Sequence, residues 1–314
     1  MKGNIFKLIK ESKSILLLTH ESPDGDAVGS VMGFYHMLKS INKSVDIVMP
    51  EVPNSFEFLA SINKIVDKSD KEYDLAIVLD CANEERIGQK NGEFLRCKKC
   101  ISIDHHTSNN GFGDINYVEE ETAACSQVIY YLFKDWNILI NKNIGEALAV
   151  GLLTDTCGFR NDNVDKKSFL MASELLDLGI KIHKLYFNVL SKKTMSKYLL
   201  MKMVLDRLEF FSDERIAFSY ISQEDLENVS ARPGDHEGLV DLGRHIDGVE
   251  VSIFMREDNG YRISFRSNGL VDVNKIAKKF GGGGHKMAAG AKLDGSFKEI
   301  KESLINEVIK VLNK

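Results

Sequence analysis

The stretch Ser14-Ile-Leu-Leu-Leu-Thr-His20-Glu-Ser-Pro-Asp24-Gly-Asp26-Ala-Val-Gly-Ser30 decides the fold of the first part of this chain. Its apolar beginning predicts a short, buried β-strand. A polar loop follows, and apolar residues then recur at helical spacing between Val28 and Leu38. A buried strand that continues through a charged loop into a helix is typical of a parallel sheet with helices on its faces.

The same alternation of strands and helices continues along the chain. In the first part, strands are predicted at Val45–Met49, Leu75–Leu79 and Cys100–Ile103, and helices at Ala123–Lys134, Asn143–Leu153 and Lys166–Leu178. After a long helical stretch at Tyr186–Lys197, strands are predicted at Arg215–Ile221, Glu250–Arg256 and Tyr261–Arg266, and helices at Val273–Phe280 and Phe297–Leu312. We therefore expect an α/β protein. A mostly parallel sheet flanked by helices occupies residues 1–188, a linker helix region 189–200, and a smaller α/β domain 201–314.

The composition limits the class of protein. A chain of 314 residues exceeds what one hydrophobic core usually serves, which agrees with two domains. The N-terminus lacks the apolar core of a signal peptide, and five cysteines, an odd number, indicate free thiols, so we expect a cytoplasmic protein. The net charge of −5 excludes a generally basic protein that coats nucleic acid. It leaves room for a local cationic pocket that binds a short anionic substrate.

Ionisable side chains follow the predicted elements at the points where these end. Four clusters share this placement: His20 with Asp24 and Asp26; Asp80; Asp104 with His105 and His106; and Asp155. The first three clusters follow predicted strands, and the fourth follows an apolar helix. Because ligands of open parallel sheets bind at the carboxyl ends of the strands, we expect the four clusters to converge.

Converging carboxylates call for a cation, because like charges in a poorly solvated crevice repel each other. Oxygen ligands with a few imidazoles suit ions such as Mn²⁺ or Mg²⁺. Two such ions about 3.5–4 Å apart can clamp a phosphoryl group. Taken singly, each cluster also has a structural explanation, since Asp24-Gly25 is a turn signal and Ser22, Asp24 or Asp26 can cap the following helix. Four clusters together favour the metal site.

A second unusual stretch, Gly281-Gly-Gly-Gly284-His285, lies in the second domain. Consecutive glycines allow neighbouring backbone N–H groups to point at one anion. Arg266 and His285 would complete such a pocket, because a guanidinium matches the geometry of a phosphate. Four lysines would raise the local potential: Lys275, Lys278, Lys279 and Lys286. The alternative for the glycine run is a flexible linker.

Together these motifs resemble those of the DHH phosphoesterase superfamily. The resemblance rests on His20-x-x-x-Asp24-x-Asp26, Asp80, Asp104-His105-His106 and Thr154-Asp155-Thr156. The glycine run, preceded by Phe265-Arg266-Ser267, resembles the DHH-associated C-terminal domain. Together the two matches cover nearly the whole chain.

The resemblance implies two Mn²⁺ ions, with Mg²⁺ or another divalent ion as the alternative, and a metal-activated hydroxide as the nucleophile. One ion would be held by His20, Asp24 and Asp80, and the other by Asp26, Asp80, His105 and Asp155. His106 would face the scissile phosphate as a charge stabiliser or proton donor, and Asp104 would orient the histidines. The substrate-binding residues would be Arg86, Arg266, Ser267, Gly282, Gly283, Gly284 and His285. For Arg86 a surface salt bridge is an equal alternative.

Within the superfamily the chain looks most like the group of nano-RNases and 3′,5′-bisphosphate nucleotidases. That resemblance implies hydrolysis of RNA of about two to five residues to mononucleotides, and removal of phosphate from phosphoadenosine phosphate. Linear or cyclic dinucleotides such as pApA, pGpG or cyclic di-AMP are the alternative substrates. A nucleotide-binding regulator without catalysis is the alternative from a different class. Short RNA and small nucleotides are thus the expected partners, and we expect no binding to a membrane and no tracking along long nucleic acid. By analogy with the family, a homodimer is expected.

Overall fold

A computed structural model describes residues 1–49 and 52–312, apart from the side chains of residues 54 and 89–91. The chain divides into two compact units, Met1–Lys192 and Lys193–Lys314. The boundary lies inside the segment 189–200, where the sequence predicts the linker. None of the helices in the described ranges is long and apolar enough to cross a membrane.

The first unit alternates strands and helices. Its elements are α1 (Lys2–Glu11), β1 (Ser14–Leu18), α2 (Gly25–Ser40), β2 (Ser44–Val48), β3 (Ile65–Val66), β4 (Leu75–Leu79), α3 (Asn91–Phe94), β5 (Cys100–Asp104), β6 (Ile115–Val118), α4 (Cys125–Asp135), α5 (Lys142–Asp155), α6 (Lys166–Asp177) and α7 (Ile182–Tyr186). The strands form one six-stranded sheet in the order β3-β2-β1-β4-β5-β6, and every neighbouring pair is parallel.

This strand order places a reversal between β1 and β4. The chain builds the sheet outward from β1 to β3, then returns to the other side of β1 and builds outward from β4 to β6. The two loops that leave β1 and β4 therefore diverge and open a crevice at the carboxyl ends of these strands, where ligands of such sheets bind. Both faces of β1 are buried, with Ile15 and Leu17 on one side and Leu16 and Leu18 on the other.

Helices α2 and α5 approach each other unusually closely, because glycines face the contact. A Cβ on Gly29 would lie 2.5 Å from the carbonyl oxygen of Ala147, and a Cβ on Gly151 would lie 2.4 Å from Asp26 Oδ1. No side chain larger than hydrogen fits at such distances. The close packing brings the first turn of α2, which carries Asp26, towards the last turn of α5, which carries Asp155.

The second unit is a mixed sheet with helices. Its elements are α8 (Met195–Asp206), β7 (Glu209–Phe211), β8 (Ile216–Ile221), α9 (Gln223–Asn228), α10 (Asp241–Arg244), β9 (Val251–Glu257), β10 (Tyr261–Ser267), α11 (Val273–Lys279), β11 (Gly283–Gly284), β12 (Ala288–Leu293) and α12 (Phe297–Leu312). The strand order is β11-β12-β10-β9-β8-β7, in which only the pair β8–β9 is parallel. Ile263 and Phe265 of β10 face the core that α11 and α12 cover.

The α/β class and the longer elements agree with the sequence prediction, whereas two regions differ. The predicted helical stretch at 186–197 is broken: a π-helical turn, Phe187–Ser191, ends the first unit, and α8 begins after the N-cap Thr194. The hydroxyl of Thr194 donates to Asp235 and accepts from the N–H of Lys197, so it starts a new helix instead of continuing the old one. The strands β3, β6, β7, β11 and β12 were not predicted, since they are only two to six residues long and show no clear strand pattern.

Candidate metal centre

The crevice at the carboxyl ends of β1, β4 and β5 collects the ionisable residues that the sequence singled out. His20 follows β1, Asp80 follows β4, and Asp104 ends β5. Asp80 has a φ of +56°, in the left-handed region that Asp tolerates better than most residues. The residue is only 2% exposed, so this strained backbone directs a buried carboxyl group into the crevice.

Two groups of three ligand residues lie side by side. In the first group, His20, Asp24 and Asp80 each offer one ligand atom, and these atoms all lie within 4.8 Å of one another. His20 Nε2 is 4.0 Å from Asp80 Oδ2. Asp24 is the exposed member of the group, and it also caps α2 by accepting from the N–H groups of Asp26 and Ala27.

The second group contains Asp26, His105 and Asp155. His105 Nε2 lies 3.3 Å from Asp155 Oδ2, 4.0 Å from Asp26 Oδ2 and 3.6 Å from Asp80 Oδ1. Asp80 thus directs one oxygen towards each group, Oδ2 towards His20 and Oδ1 towards His105. A carboxylate in this position can bridge two cations.

A hydrogen bond selects the tautomer of His105. Its Nδ1 lies 3.0 Å from the carbonyl oxygen of Thr122. Because a carbonyl only accepts, Nδ1 carries the hydrogen, and a neutral His105 therefore directs the lone pair of Nε2 at the surrounding carboxylates. A lone pair that faces three carboxylates is unfavourable in an empty crevice and favourable around a cation.

The N-terminus of α4 holds Asp26. Its Oδ2 accepts a hydrogen bond of 2.5 Å from the N–H of Cys125, and its Oδ1 accepts one of 3.0 Å from the N–H of Ser126. These N–H groups lack partners inside the helix, and the helix dipole adds a partial positive charge. Asp26 is fully buried, and the two amides fix its orientation.

The residues fit divalent cations. Burial and the charges of Asp26, Asp24, Asp155 and Asp104 raise the pKa of Asp80 well above its ordinary value. Burial, followed by the charges of Asp26 and Asp24, raises the pKa of Asp155 to about 9. In addition, His20 Nδ1 and Asp80 Oδ1 are buried without a hydrogen-bond partner. A bound cation would offset the repulsion between these buried carboxylates and would give the unpaired oxygens a partner.

His106 is arranged differently from the other two histidines. Its Nδ1 lies 2.7 Å from Asp104 Oδ1 and 3.6 Å from Asp80 Oδ1. His106 could be grouped with Asp80 and His105 as a ligand by distance alone. However, Nδ1 donates its hydrogen to Asp104, so this nitrogen has no lone pair for a metal. The hydrogen bond to Asp104 raises the pKa of His106.

Arg86 lies beside the crevice on the loop after β4. Its carbonyl oxygen accepts a hydrogen bond of 2.8 Å from the N–H of Glu21, which joins this loop to the one after β1. The side chain is exposed. Burial lowers the pKa of His20, and the nearby charge of Arg86 acts in the same direction. The positive charge of Arg86 therefore acts on His20.

In the second unit, several N–H groups of the glycine run have backbone partners. The N–H groups of Gly281 and Gly282 donate to carbonyl oxygens of Lys278 and Ala277 at the end of α11. The N–H of His285 donates to Ala288, which closes the turn between β11 and β12. A Cβ on Gly282 would lie 2.1 Å from the carbonyl oxygen of Gly290. Close strand packing therefore explains this glycine better than phosphate binding.

The remaining predicted residues of the second unit divide into exposed and buried ones. Ser267 is fully buried, and its hydroxyl accepts a hydrogen bond from the N–H of Gly269. His285 and Gly284 are exposed, and Gly283 is half-buried. Arg266 is half-buried, donates to the carbonyl of Phe265 and lies 3.9 Å from Asp241 Oδ1.

Sequence reasoning missed several groups that support the centre. They are the carbonyl of Thr122, the amides of Cys125 and Ser126, and the side chain of Asn109, which donates to Asp104 Oδ2 at 2.8 Å. Three of these are backbone groups, and the residue type does not indicate where a backbone group will donate or accept a hydrogen bond. Asn109 could have been noticed as a polar residue three positions after His106, but Asn109-Asn-Gly111 indicates an ordinary turn.

Comparisons with known proteins cover both units. The model of the DHH family, N-terminal domain, matches residues 14–152, and that of the DHHA1 domain matches residues 213–314. The bifunctional oligoribonuclease and PAP phosphatase NrnA of Thermus thermophilus is 33% identical, over 90% of this chain and 84% of its own length. The protein of the same name from Bacillus subtilis is 30% identical over 93% of each.

A solved structure shows the same architecture over the whole chain. The exopolyphosphatase-related protein from Bacteroides fragilis superposes with a TM-score of 0.92 at 28% identity, and the match covers 98% of this chain and 95% of that one. Both units are therefore shared with known proteins, and neither is an unrelated addition.

Proposed function

The chain belongs to the DHH family of phosphoesterases, and from this premise we propose that it hydrolyses very short RNA, of about two to five residues, to mononucleotides and removes the 3′-phosphate of phosphoadenosine phosphate. The family assignment makes it a hydrolase of phosphoester bonds. The substrate proposal is supported by relatives named as oligoribonuclease and PAP phosphatase, which match nearly the whole chain.

One observation of the structure carries the proposal. Asp80 directs one carboxylate oxygen at His20 and the other at His105, so two groups of ligand residues share it. We propose that His20, Asp24 and Asp80 hold one Mn²⁺ ion, and that Asp26, Asp80, His105 and Asp155 hold the other. When bound, such ions stabilise negative charge on a phosphoryl group and make an attacking water more acidic.

The chain's own residues contribute the remaining chemistry. Asp104 holds the Nδ1 hydrogen of His106 at 2.7 Å, which leaves Nε2 to face the substrate. We assign to Nε2 the donation of a proton to the leaving oxygen, with Arg86 binding a phosphate oxygen beside it. For the DHHA1 unit we propose a contribution to substrate binding through Arg266, His285, Gly283 and Gly284.

The proposal is tested with 5′-labelled RNA of two to twenty-four residues and with phosphoadenosine phosphate, each incubated with Mn²⁺. We expect rapid release of mononucleotides from RNA of two to five residues and slow cleavage of longer RNA. A binding site for one terminal phosphate explains this limit, since a protein that tracks long strands needs a continuous cationic groove. Preferential degradation of the longest RNA would contradict the proposal, and turnover of cyclic di-AMP or pGpG alone would favour the dinucleotide alternative.

A single arginine tests the role assigned to the second unit. We expect Arg266→Ala to raise KM for short RNA by about 10–100-fold, because a charge-assisted hydrogen bond contributes about 1.5–3 kcal/mol. The value of kcat should change little, since Arg266 lies outside the metal centre. Initial rates over a range of diribonucleotide concentrations provide both constants.

Arg262 is the matched control for Arg266. It lies on the same strand, four residues earlier and therefore on the same face, and its guanidinium is paired with Asp258 at 2.6 Å. Arg262→Ala should leave KM unchanged. An equal rise of KM in both variants would indicate a general effect of charge or stability on this face and would count against a specific contact.

A further inference from the structure

Asn109 is a half-buried amide on the loop that follows β5, next to the proposed catalytic histidine. Its Nδ2 lies 2.8 Å from Asp104 Oδ2, 3.2 Å from the carbonyl oxygen of Cys81 and 3.4 Å from Ser102 Oγ. The Oδ1 atom accepts a hydrogen bond of 2.9 Å from the N–H of Gly111. Because a backbone N–H only donates, this contact determines which end of the amide faces Asp104.

Asp104 distributes its two oxygens between different partners. Oδ1 accepts from the N–H groups of His105 and His106, at 2.8 and 3.3 Å, and from His106 Nδ1 at 2.7 Å. Oδ2 accepts from Asn109. Although burial alone would raise the pKa of Asp104, the hydrogen bonds of His106 and Asn109 lower it. Asn109 therefore holds the oxygen that His106 does not use, and it prevents the carboxylate from rotating about its Cβ–Cγ bond.

We propose that Asn109 is a positioning residue for the leaving-group proton. By fixing Asp104, it keeps the hydrogen of His106 on Nδ1 and aims Nε2 at the leaving oxygen; this last step rests on the proposed function. In the reaction the water oxygen forms a new bond to phosphorus, and the bond from phosphorus to the leaving oxygen breaks with its electron pair. His106 acts in this step as the imidazolium, with a hydrogen on each ring nitrogen: the leaving oxygen takes the proton of Nε2, one proton of the attacking water passes to solvent, and solvent then returns a proton to Nε2.

A purely structural role makes a different prediction, because Asn109 also ties the loop to Cys81. Loss of a structural contact would slow all substrates alike and lower stability. Loss of leaving-group assistance affects only substrates whose leaving oxygen needs a proton. An alkoxide needs one, whereas p-nitrophenolate departs without one. The two roles are therefore separated by the leaving group of the substrate.

The experiment compares two diesters of adenosine 5′-monophosphate, one with methanol and one with p-nitrophenol, and the dinucleotide pApA. Asn109→Leu keeps the volume without a donor, and Asn109→Ala removes the side chain. For pApA and the methyl ester we expect kcat to fall about 10–100-fold, the usual cost of losing a partner of this kind, with little change in KM. For the p-nitrophenyl ester we expect a loss of no more than about threefold.

The matched control is Asn110→Ala. The side chain of Asn110 is exposed, and its backbone N–H donates to the carbonyl of Ala82. This variant should retain the kinetics of the original protein on all three substrates. Equal losses on both esters in the Asn109 variants, or no loss on either, would overturn the positioning role. If the original protein hydrolyses the esters but not RNA, the proposed substrate fails while the comparison of leaving groups still decides the role of Asn109.

A second readout needs neither metal nor turnover. In ¹⁵N spectra of the imidazoles of the metal-free protein, His106 should show a hydrogen-bonded Nδ1–H, with its signal assigned from His106→Gln. The signal should broaden or shift to the other nitrogen in Asn109→Leu and stay unchanged in Asn110→Ala. An unaltered His106 signal in Asn109→Leu would overturn the inference whatever the activity.

Discussion

Asp80→Asn should abolish turnover of short RNA while leaving the fold intact. Asp80 is the one carboxylate that faces both groups of ligand residues in the described part of the crevice, with its oxygens 4.0 Å from His20 Nε2 and 3.6 Å from His105 Nε2. Its loss weakens both proposed ion sites at once. We expect kcat to fall by at least about 10³-fold, as for other groups that stabilise transition-state charge directly.

The same substitution should raise the stability of the metal-free protein. Burial and four neighbouring carboxylates raise the pKa of Asp80, so the crevice favours an uncharged group at this position. Asparagine has the shape of the protonated acid and removes the repulsion. Thermal melts in a chelator should therefore show a higher Tm for the variant, whereas calorimetric titration with Mn²⁺ should show weaker binding.

Asp114→Asn is the matched control for Asp80. Asp114 accepts a hydrogen bond of 2.7 Å from the N–H of Cys100, at the start of β5 and so at the opposite end of the strand from the crevice. This variant should keep its activity and its affinity for Mn²⁺. Activity retained in Asp80→Asn under saturating metal would refute the proposed metal assignment.

The second large effect is on the stability of the protein, which we expect to depend on pH and on bound metal together. In the metal-free protein, burial and the charges of Asp26 and Asp24 raise the pKa of Asp155 from 3.8 to about 9. Between these two values the folded protein binds more protons than the unfolded chain, so the free energy of unfolding decreases as pH rises and levels off above about pH 9. Asp80 and Asp26 act in the same direction because their pKa values are raised as well.

A chelated sample should therefore lose stability between pH 5.5 and 8.5, and a divalent cation should restore it. One such carboxyl contributes at most about 1.4 kcal/mol per pH unit, so we expect the Tm to fall by about 5 °C or more. With saturating Mn²⁺ or Mg²⁺ the gain in Tm should grow with pH, because protons and cations compete for the same oxygens. Melting curves across the pH range, with and without the cation, measure both effects.

Two controls identify the source of the pH dependence. Sodium chloride at the same ionic strength should restore little stability, since screening acts weakly on buried charges. Asp155→Asn should flatten the pH dependence of the chelated sample. If the chelated protein instead gains stability as pH rises from 5.5 to 8.5, the carboxylates of the crevice do not repel each other as described.

The local pattern of apolar and polar residues was sufficient to predict the central strands of the first unit. Continuous apolar runs predict β1, β4 and β5 because both faces of a central parallel strand are buried, so its residues need not alternate. The ionisable residue that follows each apolar run could also be recognised, because a charged side chain is not expected inside a buried strand and therefore marks its end. These strand ends, with the family motifs, led to His20, Asp80 and His105 without any knowledge of the topology.

Short edge strands and groups held by the backbone could not be predicted in this way. Strands β11 and β12 contain mostly small residues, and their pairing depends on partners that lie elsewhere in the sequence. The glycine run therefore resembled an open anion site, although the helix before it and the strand after it occupy the N–H groups of Gly281, Gly282 and His285. Ser267 belongs to the predicted set through the motif Phe265-Arg266-Ser267, and the motif does not indicate that this side chain is buried.

The sequence by itself determined the class of fold and the residue types of the candidate metal centre, since both follow from local hydrophobic pattern and from side-chain chemistry. Only the tertiary structure shows how those residues are divided between the two groups of candidate ligands. The reversal between β1 and β4 sets Asp80 between His20 and His105, and the close contact of α2 with α5 brings Asp26 to Asp155. The tautomer of His105 and the support of Asp104 by Asn109 depend on contacts across loops, which no spacing along the chain encodes.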